Sequence, residues 1–284
     1  MANQALAVLE SALRARKLDR TLTTALPPLE RRDESALIPT SIAALDACLH
    51  GGLPRGQLSE IVGPRSSGRT TLLLQMMAAA TRRGEIAAVV DTFDRFDAAS
   101  AGAAGIDPDR LLWIRGQTIC EHGPRSHAGT EAGILKNRLR GSVAPTFARD
   151  ASAGKPWPGE ASFEQTVVDR ALKALNLVLQ AGGFAYVAID LADVSRSALT
   201  RIPFTTWLRV QRIIEGSDTA CVLVAPQPLA RSAGGLTLSL TACARWAGEA
   251  DRSRHVIGAD LTVRVVSPRR RVDGEVSMSA TVHH

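Results

Sequence analysis

The chain has 284 residues, 45% of them hydrophobic, with 34 Lys and Arg against 28 Asp and Glu for a net charge of +6. That length builds one sizeable α/β core with small appendages and excludes two large domains. No apolar run reaches membrane-spanning length and the N-terminus lacks a secretory signal pattern, so a cytosolic chain is expected. The cysteines (Cys48, Cys120, Cys221, Cys243) form no C-x-x-C pair and have no histidine at zinc spacing, which reads as free reduced thiols, with Cys221 in the core. The positive balance favours polyanionic partners, although arginine- and alanine-rich compositions also arise in GC-rich genomes without selection for binding.

From the N-terminus, residues 3–22 place Leu6, Leu9 and Leu13 at i, i+3 and i+7 and turn basic towards Arg20, which predicts an amphipathic helix. Its stripe needs a cover, either a neighbouring subunit or the chain's own core; a membrane surface suits it poorly, because it carries no Trp or Phe. Pro27 and Pro28 bar helix continuation, so residues 1–36 are expected to form a helix and linker ahead of a core at 37–284. Apolar runs at 58–62, 86–90, 111–114, 185–189 and 220–225 alternate with helix-length segments, the pattern of a mainly parallel sheet covered on both faces. Runs at 236–246, 260–266 and 275–282 lack intervening helices and predict antiparallel strands added at one edge, with Asp273-Gly274 as a hairpin turn. Residues 116–162, basic around Lys136, Arg138 and Arg140 and without periodicity, predict a mobile or partly ordered insertion.

The first core run leads into Gly63-Pro64-Arg65-Ser66-Ser67-Gly68-Arg69-Thr70-Thr71, and a helix-like run from Thr70 to Thr81 follows. This is the frame G-x-x-x-x-G-[K]-[ST] with arginine in the lysine place. Glycines let backbone N–H groups turn inward around phosphate oxygens, the helix offers its N-terminus to the same anion, and the Thr70 hydroxyl is placed to meet magnesium. Arginine is a broad planar fork where that loop normally holds a compact ammonium, so a nucleotide-binding fold is expected and a working ATPase is not.

Residues Glu60 to Leu72 resemble the Walker A segment of the RecA recombinases, with Arg65 where they carry glutamate and Arg69 where they carry lysine. The likeness runs on through Asp91–Asp97 and Ala104–Asp107, resumes at Tyr186–Asp190, Leu223–Gln227, Gly234-Gly235 and Leu261–Val266, and covers most of residues 38–266. It implies a RecA-like core, with Ile38–Asp46 and Gly51–Gly56 as a short helix and Gly-rich turn before the first strand. Asp190–Val194, Arg201–Trp207 and Pro228–Ser232 look most like the ImuA-type accessory proteins, RecA relatives of damage-induced mutagenesis. That resemblance implies RecA, an inactive polymerase-like protein, an error-prone polymerase and DNA as partners, possible homo-oligomers through Leu6, Leu9 and Leu13, and a cytoplasmic, nucleoid-associated location.

Carried onto this sequence, the resemblance makes Asp190 the strand-end aspartate that meets magnesium through water and Gln227 the γ-phosphate sensor. The bland readings are a capping aspartate and an unremarkable loop amide. The family's water-activating glutamate falls on Phe93, which cannot accept a proton, and its adenine-stacking tyrosine falls on Ser100. Asp94, next to Phe93 on an expected strand, points to the other face and does not substitute. The cross-interface basic pair falls on Ser267 and Arg269. ATP and Mg2+ are therefore expected to bind weakly if at all. Arg196, Arg201, Arg209, Arg212, Arg231 and Arg245 lie where RecA proteins face DNA and are the candidate DNA contacts, each equally readable as a solvated surface. Trp113 and Trp207 are placed either to stack on bases or to join the core. The expected function is a nonenzymatic RecA-like regulator in translesion synthesis; the alternative is a slow DNA-dependent ATPase or recombinase using Arg69.

Overall fold

Six strands lie side by side and parallel, and the inner four are buried on both faces, so helices must cover the sheet twice. The computed structural model describes residues 37–117, 132–134, 160–230, 235–248, 254–266 and 274–281. In chain order the elements are β1 (Leu37–Ile38), α1 (Ala43–Cys48), β2 (Leu53–Pro54), β3 (Leu58–Val62), α2 (Arg69–Arg82), β4 (Ala87–Asp91), α3 (Ala98–Ala103), β5 (Leu111–Arg115) and β6 (Ala132–Ile134). The second half runs α4 (Glu160–Ala181), β7 (Tyr186–Asp190), α5 (Arg196–Arg201), α6 (Phe204–Ile214), β8 (Ala220–Ala225), β9 (Thr237–Ala247), β10 (His255–Val266) and β11 (Gly274–Thr281).

The main sheet has nine strands in the order β11-β10-β9-β3-β8-β7-β4-β5-β6, and β1 pairs with β2 separately. Strand alternation divides the core between its faces. Ile61, Val89, Tyr186, Ala188 and Val222 face α2 in one cluster, while Leu58, Val90, Val187, Ile189 and Leu223 face α4 and α6 in the other. Helix α2 is buried around most of its circumference, with Leu72, Leu73, Met76, Met77 and Ala78 inside. Helix α4 buries Val167, Val168, Ala171, Leu175 and Val178 at the three- and four-residue spacing of one face. The RecA-like α/β core is thus observed, with its parallel strands where the apolar runs placed them.

Three expectations change. First, β9 joins β3 in parallel, with Glu60 opposite Thr237, and only β10 and β11 continue antiparallel. The chain therefore runs back along β3 before β9 begins. Gly235 permits this by lying against the Leu58 backbone, where a Cβ would stand 1.9 Å from the Leu58 carbonyl oxygen. The Glu60 carboxylate, buried in β3, accepts from the Leu229 and Ala230 N–H groups at 2.7 and 2.8 Å and from the Thr237 hydroxyl at 3.2 Å, fixing the return. Second, the insertion at 116–162 is bounded more tightly: Ala132–Ile134 pairs antiparallel with β5, and α4 already begins at Glu160. Third, residues 92–94 turn immediately after β4, so strand alternation does not govern Asp94. Its backbone is left-handed (φ 57) and its carboxylate grips Arg115 through two bonds of 2.7 Å. The helix and linker at 1–36, including Leu6, Leu9 and Leu13, lie outside the described residues, as do Cys120, Lys136, Arg138, Arg140, Ser267, Arg269 and Asp273.

Candidate nucleotide-binding site

The ends of the neighbouring strands β3, β8, β7 and β4 converge on one edge of the sheet, so Gly63, Gln227, Asp190 and Asp91 come together from distant parts of the sequence. The loop from Gly63 to Gly68 crosses this edge with Pro64, Arg65 and Ser66 exposed and Ser67 buried. A Cβ on Gly63 would lie 2.4 Å from the Leu240 carbonyl oxygen and 2.6 Å from Ser67 Oγ. Gly68 opens α2 in a left-handed conformation (φ 86), and a Cβ there would meet Leu261 Cδ2 at 2.0 Å. Both positions therefore require glycine.

Arg69, the first residue of α2, is 7% exposed. Burial lowers its pKa, and the charges of Asp190 and Asp193 oppose that shift. Its Nη1 and Ser67 Oγ are buried and meet no hydrogen-bond partner among the described residues. Two such donors beside a helix N-terminus fit a phosphate-like anion. Thr70 and Thr71 are exposed on the first turn of α2. Arg65 bridges outward to Asp193 at 3.2 Å, across the mouth of the loop, in an exposed pair of small energetic weight.

Asp190 closes β7, and its Oδ1 accepts the Ala192 N–H at 2.8 Å, the capping role anticipated as the bland reading. Burial pushes its carboxyl up to about 6, against the Ala192 bond and with help from the charges of Asp91 and Asp193. An unfolded aspartate titrates near ~3.9, so between that value and the folded one the native state keeps a proton that the unfolded chain has released. Stability from this group is present in acid and falls as pH rises through that window. Asp190→Asn retains an oxygen for Ala192 and removes the charge. In urea unfolding it should exceed the parent by ~1–2 kcal/mol at neutral pH and match it in acid. A loss at neutral pH would show instead that the Asp190 charge is held by Arg69.

Phe93 is 3% exposed and lines a shallow recess with Asp91, Arg95, Asp190 and Asp193. Asp91 was not singled out by sequence reasoning, yet it organises this corner. It accepts from the Arg95 and Phe96 N–H groups, each at 2.8 Å, and from the Trp113 indole N–H at 3.1 Å, while burial raises its pKa. Glu60 was missed likewise; the only signal for either is a carboxylate at an inward position of an apolar strand. Ser100, on α3, donates its hydroxyl to Asp97 at 2.5 Å and offers no ring to a base. Gln227 is half-buried just beyond β8. Among the described residues no group of three or more His, Cys, Asp or Glu is arranged to hold a metal.

The candidate DNA contacts divide. Arg196, Arg201, Arg209 and Arg212 are exposed on α5 and α6. Arg245 is half-buried on β9 with its Nε 3.4 Å from Asp260, so its charge is already engaged. Arg231 lies outside the described residues. Trp207 is 1% exposed and belongs to the core, which removes it as a base-stacking residue. Trp113 packs against Phe96, carries the Arg115 guanidinium 4.8 Å from its ring centre and donates to Asp91, so its faces and edge are largely occupied by the protein itself.

A glycine-rich loop between a central parallel strand and a buried helix, facing a strand-end aspartate, defines an α/β protein of the P-loop class. Residues 23–120 match the model of the RecA N-terminal domain. The RecA protein of Salinispora tropica is 35% identical over 174 residues, 61% of this chain and 50% of the relative. That of Clavibacter michiganensis is 43% identical over 173 residues, 56% of this chain and 48% of the relative. That of Amycolatopsis mediterranei is 32% identical over 178 residues, 62% and 51%. The chain spans about half the length of these curated relatives. Over the matched residues the chain is similar to the RecA N-terminal domain and to these RecA proteins, and its fold and loop are those of a RecA-like core. No helix among the described residues is long and apolar enough to cross a membrane.

Proposed function

We propose that this chain is a RecA-like accessory protein of the ImuA type, acting in translesion synthesis and SOS mutagenesis by binding partners rather than by turning over ATP. The observation that carries this reading is Phe93, an apolar side chain buried beside Asp190 where the related recombinases align a water-activating glutamate. Arg69 in place of lysine and Ser100 in place of the stacking tyrosine point the same way. The proposed nucleotide loop is Gly63 to Thr71 with Asp190 and Gln227, and Thr70 and Asp190 would meet magnesium if a nucleotide bound. Titration with ATP and magnesium should give weak or undetectable binding; tight, magnesium-dependent binding would contradict the reading.

The partners proposed are RecA, an inactive polymerase-like protein, an error-prone polymerase and DNA, in the bacterial cytoplasm at the nucleoid. DNA contact would rest on phosphate neutralisation, with Arg196, Arg201, Arg209, Arg212, Arg231 and Arg245 as its candidates. Such binding ignores sequence and collapses with salt, which an oligonucleotide titration at two ionic strengths reads directly. Self-association through Leu6, Leu9 and Leu13 is proposed as well. Sedimentation of the chain lacking residues 1–24 should show less association, whereas an unfolded truncation would assign the helix to its own core.

A further inference from the structure

Helix α6 has two faces of different character. Trp207, Val210 and Ile214 turn inward at i, i+3 and i+7, and the Gln211 amide ties the same side to the lead into β3, accepting from the Leu58 N–H at 2.9 Å and donating to the Gly56 carbonyl at 3.0 Å. The outer face presents Phe204 and Leu208, 44% and 40% exposed, one helical turn apart. Arg212 continues their row at i+8, Arg209 stands beside Leu208, and Arg201 precedes the helix at the end of α5. From Arg196 to Ile214 there are four arginines and no carboxylate. Elsewhere Arg55, Arg83, Arg110 and Arg115 each meet an acidic side chain, but among the described residues none of these four does.

We infer that the outer face of α5 and α6 is a docking surface for an acidic amphipathic segment of another protein, its carboxylates on Arg201, Arg209 and Arg212 and its apolar side chains over Phe204 and Leu208. Charge complementarity identifies the occupant: from Arg196 to Ile214 the surface carries four arginines and no carboxylate, and among the described residues none of the four is in an ion pair. The apolar pair separates a protein from a nucleic acid. A phosphate backbone uses the arginines alone, whereas a segment with apolar anchors at helical spacing also removes Phe204 and Leu208 from water. Aromatic side chains and arginine are also the residue types enriched at the buried core of protein interfaces. DNA and such a segment would compete for the same arginines. The inference goes beyond the accessory role and is independent of whether the Gly63–Thr71 loop binds ATP.

The test uses the full chain and three fluorescent probes: a glutamate-rich helical peptide carrying leucines one turn apart, polyglutamate of the same length, and oligo-dT. The leucine-bearing peptide should bind at least about tenfold tighter than polyglutamate. The double variant Phe204→Ser, Leu208→Ser should remove that advantage while leaving oligo-dT binding unchanged. Arg209→Glu with Arg212→Glu should abolish binding of the acidic peptide, and a lysine-substituted version of the peptide should restore it. That restoration also shows that the variant is folded. No binding of the leucine-bearing peptide, or equal binding of it and polyglutamate, would overturn the inference. Loss of oligo-dT affinity in the Phe204, Leu208 variant would assign the face to nucleic acid instead.

Discussion

Replacing Trp207 with alanine should cost about 3–5 kcal/mol of stability, the range for truncating a buried large aromatic. The side chain is 1% exposed and sits in the cluster that joins α6 to β3, β7 and β8 through Leu58, Val187, Ile189 and Leu223. The sheet beneath it is rigid and its neighbours come from separate strands, so the cavity cannot close by a shift of one element. Phe204→Ala, on the opposite face of the same helix, should change stability by no more than about 0.5–1 kcal/mol. Urea unfolding of the two variants beside the parent checks the contrast. A small effect at Trp207 would mean that α6 is packed otherwise, and would also free that indole for a ligand.

Trp207 illustrates what the sequence makes legible. Its placement in the core was one of two readings, and the i, i+3, i+7 set with Val210 and Ile214 decides it only once Phe204 and Leu208 are known to face outward. The parallel strands were readable because their apolar runs are uninterrupted and separated by helix-length segments. The loop at Gly63–Thr71 was readable because glycine spacing carries a backbone requirement. What escaped depends on contacts between residues remote in sequence. The parallel entry of β9 hangs on Gly235 against Leu58 and on Glu60 reaching Leu229 and Ala230, and no local pattern encodes those pairs. Asp94 was read as the neighbour of Phe93 on a strand, whereas Asp91 ends β4 by accepting from Arg95 and Phe96 and folding the chain into a turn. In that turn the Asp94 carboxylate is held by its two bonds to Arg115.

The chemical ledger of the site rests on Phe93. General-base and water-positioning assistance contributes typically about 10²–10⁴-fold to a hydrolytic rate, and an apolar ring buried beside Asp190 supplies neither. The nearest alternatives are committed elsewhere: Asp94 to Arg115, and Asp91 to two backbone N–H groups and Trp113. Arg69, whose Nη1 meets no acceptor among the described residues, remains able to hold an anion without activating water. Phosphate release from ATP and magnesium by the purified full chain, with and without single-stranded DNA, therefore tests the central claim most directly. The account predicts release indistinguishable from buffer in both conditions; DNA-stimulated release that is lost in Arg69→Ala would contradict it and make this chain an enzyme.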